Sequence, residues 1–295
     1  MTASLDSGTE DLGRQYPEWL PWLTVVEIVL RESTDPKWHA LVPELPESQE
    51  NKVPLLAGAT LDLDPAAVGA WSQQLLRAAC ESGAPKMSTL KSARLARLNT
   101  SNLFISSLCQ DWQALRSVAI ELDVDADALQ AVAALAPIPL LQACNRRWQH
   151  ALNESWREGY CPICAAWPAF AEVRGIERSR YLRCGRCGGQ WQAHCLFCSY
   201  CGMTDHKELV SLVAEKSGSK ATIDACKRCR GYLKTFTTLQ GSAPVKVFVD
   251  DLASVDLDIA ALERGYQRPA GAGYALAVKV VNKPRVSKSI LSWIT

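Results

Sequence analysis

Nine of the twelve cysteines fall between residues 161 and 229. Eight of them come as four Cys-x-x-Cys pairs: Cys161/Cys164, Cys184/Cys187, Cys198/Cys201 and Cys226/Cys229. Thiols this dense can form disulfides, do redox exchange or hold metal. A Cys-x-x-Cys turn curls both sulfurs toward one centre, and two such turns supply the four thiolates of a tetrahedral site. Taken in chain order, 19 residues separate the first pair from the second and 24 separate the third from the fourth, close to zinc-ribbon spacing. The expectation is two metal ions, iron or zinc, each bound by four cysteines: Cys161, Cys164, Cys184 and Cys187 for one, Cys198, Cys201, Cys226 and Cys229 for the other. Soft four-sulfur ligation accepts either metal.

Such a turn needs a residue that tolerates positive φ just after its second cysteine. Gly188 and Gly202 stand there. Ala165 and Arg230 hold the equivalent places, with Gly231 expected to compensate one position late. Cys195 is left over and is expected to be an ordinary buried cysteine, with a spare ligand or a reactive thiol as rivals. His194 and His206 are not expected to ligate.

Metal is preferred over disulfides because the N-terminal MTASLDSGTEDLGRQ has no basic start and no apolar core, unlike a secretory signal. No stretch reads as a membrane span, so a cytoplasmic location and reduced thiols are expected. The net charge of +1 gives no global pull toward nucleic acid or membrane. With 48% hydrophobic residues the chain can bury real cores.

The elements that must position these pairs fall into two styles. Asp64-Pro65 starts a helix carrying Val68, Trp71, Leu75 and Leu76 on one face, ending near Gly83. Further helices are expected over Ser88–Leu98, from just after Thr100–Asn102 (Leu103) through Ile120, and over Asp125–Leu135. Another opens at Pro137, with Leu140, Cys144, Trp148, Leu152 and Trp156 as one stripe. After residue 157 the pattern changes to short β-formers: FAEVRG and SRYLR around a turn, ELVSLVAE before SGSK, and Gly231–Thr237. The predicted class is a multidomain α+β chain. A helical domain (1–157) precedes two small zinc-ribbon-like β metal-binding units (158–193 and 194–240) and a C-terminal segment with a helix and tail (241–295). Asp250 and Asp251 are expected to cap or stabilise the helix DLASVDLDIAALERG. His39, His150, Cys80, Cys109 and Cys144 form no catalytic constellation, and no Rossmann or P-loop glycine pattern is present.

In this order the motifs resemble the formate dehydrogenase accessory protein family (FdhE). The carrying residues are Tyr160-Cys161-Pro162-Ile163-Cys164, Arg180 to Cys187 (RYLRCGRC), Trp191, Cys198-Ser199-Tyr200-Cys201, and Cys226-Lys227-Arg228-Cys229 with Gly231-Tyr232-Leu233-Lys234. Asp250 to Ser254 (DDLAS) and Gly265-Tyr266 follow. The resemblance covers about residues 155–268. Cys195 stands where the family more usually has a basic residue, and the tail after Pro269 has no counterpart. The resemblance implies that the two cysteine units are rubredoxin-like metal domains behind a helical one, in a cytoplasmic, non-catalytic maturation factor that binds the catalytic subunit of respiratory formate dehydrogenase. No membrane insertion and no nucleic acid partner are expected, and self-association is compatible with it.

Two rival readings remain from the residues. Metal-based redox or oxygen sensing during enzyme assembly fits four-sulfur sites. A nucleic-acid-binding zinc-ribbon protein fits the 13 Lys/Arg against 7 Asp/Glu between residues 155 and 235. Arg183, Arg186, Lys227 and Arg228, beside the cysteines, would either offset thiolate charge or meet phosphate. A thiol oxidoreductase would need unpaired Cys-x-x-Cys chemistry, and a DnaJ-type chaperone would need CxxCxGxG knuckles, which are not here.

Overall fold

The computed structural model describes residues 3–46, 50–213 and 221–282. The SGSK turn and the tail beyond residue 282 lie outside them. The helical half holds α1 (Ala3–Gln15), α2 (Leu20–Glu32), α3 (Pro65–Glu81), α4 (Ser92–Leu95), α5 (Thr100–Leu108), α6 (Trp112–Glu121), α7 (Ala126–Leu135) and α8 (Ile138–Trp148). A strand, β1 (Thr60–Leu63), precedes α3. The cysteine region holds β2 (Phe170–Arg174), β3 (Ser179–Arg183), β4 (Gln190–Ala193), β5 (Leu209–Val213), β6 (Ala221–Cys226) and β7 (Tyr232–Thr238). Two short helices, α9 (Val247–Leu252) and α10 (Val255–Glu263), and β8 (Lys279–Asn282) follow.

Capping explains where the helices start. Asp64, Asn99, Asp111 and Asp125 each accept a backbone N–H of the helix they precede, which satisfies a donor that has no intrahelical partner. The cap at Asp111 also corrects one expectation. The helix expected from Leu103 through Ile120 starts earlier, at Thr100, and is two helices, because Gln110 sits at φ 58° and Asp111 begins a new one. Ser88–Leu98 is a 3₁₀ turn (Met87–Thr89) followed by the single turn of α4. There the Thr89 hydroxyl donates to the Lys86 carbonyl and accepts the Asp125 N–H, competing with a helical ladder. The apolar stripe is also shorter than its spacing suggests: α8 stops at Trp148, and Leu152 and Trp156 follow in irregular chain. Residues Ala126–Ala151 match a membrane span in length and composition alone, and 78% of the most apolar window is buried inside the protein.

The mixed helix-and-ribbon class holds, and the sheet adds what spacing did not show. Each cysteine unit runs knuckle, strand, strand, knuckle, strand. Both feed one six-stranded sheet of order β4-β3-β2-β7-β6-β5. All pairs are antiparallel except β2 with β7, which run parallel from Phe170↔Lys234 to Arg174↔Thr238. A parallel joint is what two tandem copies with the same strand directions require. It also removes one exposed edge from each ribbon. β4 and β6 were not anticipated. At the far end of the chain β8 pairs in parallel with β1, tying the C-terminal segment to the helical half.

One contiguous core runs from Val25, Trp38 and Trp71 through Leu141, Cys144 and Trp148 to Ile163 and the first four paired cysteines. A smaller core of Ile223, Ala225, Tyr232, Ala261 and Tyr266 lies beneath α10. Between the two sits a charged lock. Lys234 on β7 is fully buried, with Nζ 2.7 Å from Asp251 Oδ1 and 2.8 Å from Asp258 Oδ2. Arg268 contacts the same two carboxylates at 2.7 and 2.8 Å. The Tyr232 hydroxyl donates to Asp258 at 2.6 Å. Asp251 therefore pairs across to the sheet and does not cap a helix as expected.

Two cations against two anions leave this lock neutral, which is what a buried cluster needs. Burial alone would push the Asp258 carboxyl up, but Arg268, Lys234 and Tyr232 hold it below the usual range. Lys234→Met is expected to cost ~3 kcal/mol in urea unfolding, the low end for breaking a buried pair because Arg268 remains. Since Asp258 is depressed in the fold, its contribution is complete at neutral pH. Unfolding curves should show it being lost as pH falls below about 4, toward the folded-state pKa.

Candidate metal centres

The four knuckles share one backbone geometry. The residue after each second cysteine has positive φ: Ala165 at 65°, Gly188 at 73°, Gly202 at 71° and Arg230 at 59°. Its N–H bonds the carbonyl of the first cysteine at 3.0, 2.9, 2.9 and 2.9 Å respectively. The first cysteine's N–H in turn bonds the carbonyl one residue further on, at 2.8 to 2.9 Å. The left-handed position is thus held by Arg230 itself, and Gly231 does not take it over. A non-glycine residue there costs ~1–2 kcal/mol. Arg230 meets that cost through its side chain, which lies over the Tyr266 ring at 4.3 Å. It also donates to the carbonyls of Gly265 and Arg264 at the C-terminus of α10.

The turns bring the cysteines together as two separate groups. In each, the four sulfurs lie within 4.8 Å of one another. In the first, Cys161 and Cys187 are 3.5 Å apart, as are Cys164 and Cys184. In the second, Cys198 and Cys229 are 3.6 Å apart and Cys201 and Cys226 3.7 Å. A tetrahedron with metal–sulfur bonds of about 2.3 Å has edges of about 3.8 Å, so both groups can hold a metal ion. Backbone N–H groups aim at the sulfurs: Ile163 at Cys161, Cys187 at Cys184, Gly189 at Cys187 and Gly231 at Cys229, all at 3.3 to 3.4 Å. Such donors favour thiolate over thiol. Burial pushes the Cys161 and Cys187 thiols up. Cys184 feels the same burial, but the hydrogen bonds converging on its sulfur hold it well below the ordinary thiol range. Cys226 is likewise lowered, by backbone and thiol donors that outweigh its burial.

The two groups differ in exposure. Cys161, Cys164, Cys184 and Cys187 are all at 0%. Cys198 and Cys226 are buried, Cys229 is half-buried and Cys201 is exposed. Cys195 lies outside both groups. It is exposed, contrary to the buried role expected of it, and its thiol faces the Arg178 carbonyl at 3.8 Å. His194 and His206 are exposed and belong to neither group.

The neighbouring basic residues split by side. Arg183 is buried, with Nη1 2.9 Å from Glu172 and Nη2 2.7 Å from the Ser242 carbonyl. Arg186 reaches the C-terminal carbonyls of α5, Ser107 at 2.7 Å and Leu108 at 3.3 Å. Arg183 is thereby closed to phosphate, while Arg186 is half-buried with both terminal nitrogens on those carbonyls. Lys227 and Arg228 are exposed beside the second group. The lock of Lys234, Asp251, Asp258 and Arg268 went unrecognised in the sequence. Its only trace was that Lys234 and Asp251 lie within the YLK and DDLAS motifs.

Both knuckle glycines sit at positive φ, but a Cβ on Gly188 would run into the Pro244 backbone, whereas one on Gly202 meets nothing within 4 Å. Gly202→Ala is expected to cost ~1–2 kcal/mol, the left-handed penalty alone. Gly188→Ala should add a steric cost of ~1–3 kcal/mol. Urea unfolding of the two variants beside the parent measures the difference.

Comparison with known proteins agrees with this geometry. Residues 196–274 match the model of the FdhE C-terminal domain. The FdhE homolog of Pseudomonas aeruginosa is 34% identical over 152 residues, 46% of this chain and 48% of that protein. That of Stutzerimonas stutzeri is 33% identical over 122 residues, 40% of this chain and 39% of that protein. Protein FdhE of Escherichia coli is 34% identical over 112 residues, 37% of this chain and 35% of that protein. In these matches the chain spans less than half the length of the curated relatives. The crystal structure of the FdhE protein from Pseudomonas aeruginosa aligns over 92% of this chain and 94% of its own, with a TM-score of 0.52 at 23% identity, which shows a shared fold. The resemblance carried by the cysteine motifs is therefore borne out, by family model, by curated relatives and by fold alike: this chain is similar to the FdhE proteins.

Proposed function

We propose that the protein is a non-catalytic accessory factor for respiratory formate dehydrogenase, acting in the cytoplasm on the enzyme's catalytic subunit. Its eight paired cysteines hold two metal ions, iron or zinc, and the ions build the binding surface. The observation that carries this reading is the pair of four-sulfur groups set in one sheet, in a chain similar to the FdhE proteins. Four thiolates close a tetrahedral ion and leave no position for a substrate, which suits a structural role over Lewis-acid catalysis. Next to the first group a cleft of about 680 Å³ opens between α6, α7 and the C-terminal segment. Trp112, Trp167, Arg116 and Arg268 line it, the residue types that anchor protein partners. The nucleic-acid reading loses support because Arg183 and Arg186 are committed inward.

A tagged chain recovered from its native host tests this, with mass spectrometry of the retained proteins. The catalytic subunit of formate dehydrogenase should be retained. A Cys226→Ser/Cys229→Ser variant, still helical by circular dichroism, should lose at least about tenfold of it, equivalent to ~1.4 kcal/mol of binding. Equal recovery by the variant would remove the metal-built surface. Nucleic acid in place of the subunit would overturn the assignment.

A further inference from the structure

The two cysteine groups are alike in backbone geometry and unlike in what surrounds them. The first is sealed from solvent, its four cysteines at 0% exposure. The Leu55 and Leu56 N–H groups bond the carbonyls of Pro162 and Ile163 inside its first knuckle, at 2.8 and 3.1 Å. Gln110 donates to the Cys164 carbonyl and Gly273 N–H to that of Ala165. Pro244 closes over Gly188. Cys144 of α8 is at 0% exposure within the same core. An outside donor therefore reaches these sulfurs only when one of these covering segments, from the helical half, the loop before β1 or the C-terminal segment, moves aside.

The second group is covered on one side only, where Gly159 packs against the Ser199 backbone and Arg230 is tied to the end of α10. Cys201 is exposed, Cys229 is half-buried, and Gly202 faces open space. A cleft of about 140 Å³, lined by Cys198, Ser199 and Cys226, leads in from the β5–β6 side. None of its four cysteines belongs to the main core.

We propose that the second group is an exchange site, at which a thiophilic divalent ion enters and leaves the folded chain, while the first is closed to exchange. This rests on the reading of both groups as metal sites. Exchange is ligand substitution with no change of oxidation state. An incoming donor bonds the ion as one thiolate, Cys201 first, lets go and takes a proton from water; the other three follow. Uptake reverses this and releases the protons. At the first group the same substitution waits on local unfolding, whose free energy is added to the barrier.

The test uses the full chain loaded with Zn²⁺ and counted by elemental analysis, then challenged with excess chromogenic chelator and N-ethylmaleimide. Peptide mapping locates the alkylated cysteines over time. Two equivalents are expected. One should leave at least about tenfold faster than the other, the factor that ~1.4 kcal/mol of opening free energy supplies. Cys198, Cys201, Cys226 and Cys229 should become alkylated with the fast equivalent, while Cys161, Cys164, Cys184 and Cys187 stay protected. Cys195 should react before any metal leaves. Release of both equivalents in one phase, or labelling of the first four cysteines in the fast phase, overturns the proposal. Binding of fewer than two equivalents overturns the two-metal reading beneath it. No variant is needed, so a folding defect cannot imitate either result.

Discussion

Four sulfurs at 0% exposure have to be brought to one point by segments 20 residues apart, and most of the architecture answers that demand. The knuckle holding Cys161 and Cys164 hydrogen-bonds to the loop before β1, to α5's neighbour Gln110 and to Gly273. The knuckle holding Cys184 and Cys187 sends Arg186 to the end of α5 and packs Gly188 beneath Pro244. Helices, sheet and C-terminal segment therefore meet at the first cysteine group. Two small ribbons could not bury enough apolar surface by themselves. Here the first ribbon borrows the helical core and the second borrows α10.

Charge follows the same economy of placement. Three buried cationic side chains, Arg180, Arg183 and Lys234, each face a carboxylate: Asp224, Glu172, and Asp251 with Asp258. An excess of basic residues in the sequence thus becomes internal wiring between ribbons and C-terminal helices. Among the basic residues left outside, Lys227 and Arg228 flank the second group. The surface near that group is accordingly open, cationic and close to an exposed thiol, whereas the first group is enclosed.

The repeat has a further consequence. Two units with the same strand directions must join in parallel if they share a sheet, and β2 with β7 do so. The joint places Lys234 beside Phe170 and sets the lock with Asp251 at the centre of the cysteine region. Both ribbons then depend on the segment after residue 240. That segment returns through β8 to the helical half.

Spacing alone paired the eight cysteines into the two groups that the fold assembles, because a Cys-x-x-Cys turn is a local structure whose sulfurs can point only one way. Asp64 and Asp125 announced their helices for the same reason: a cap acts within three residues. Positive φ at Arg230 was not legible: Gly231 was expected to take that role, and what holds Arg230 there, Tyr266 and the end of α10, lies over 30 residues away. Exposure was not legible. Cys195 and Cys201 sit among similar neighbours to Cys184 and Cys187, yet the former are exposed and the latter sealed. The partners of Asp251, the joint between β2 and β7 and the cover over the first group all depend on contacts between segments distant in sequence. Only the tertiary structure decided which sulfurs are closed off and which face solvent, because burial is set by what packs on top of a residue and not by what stands beside it.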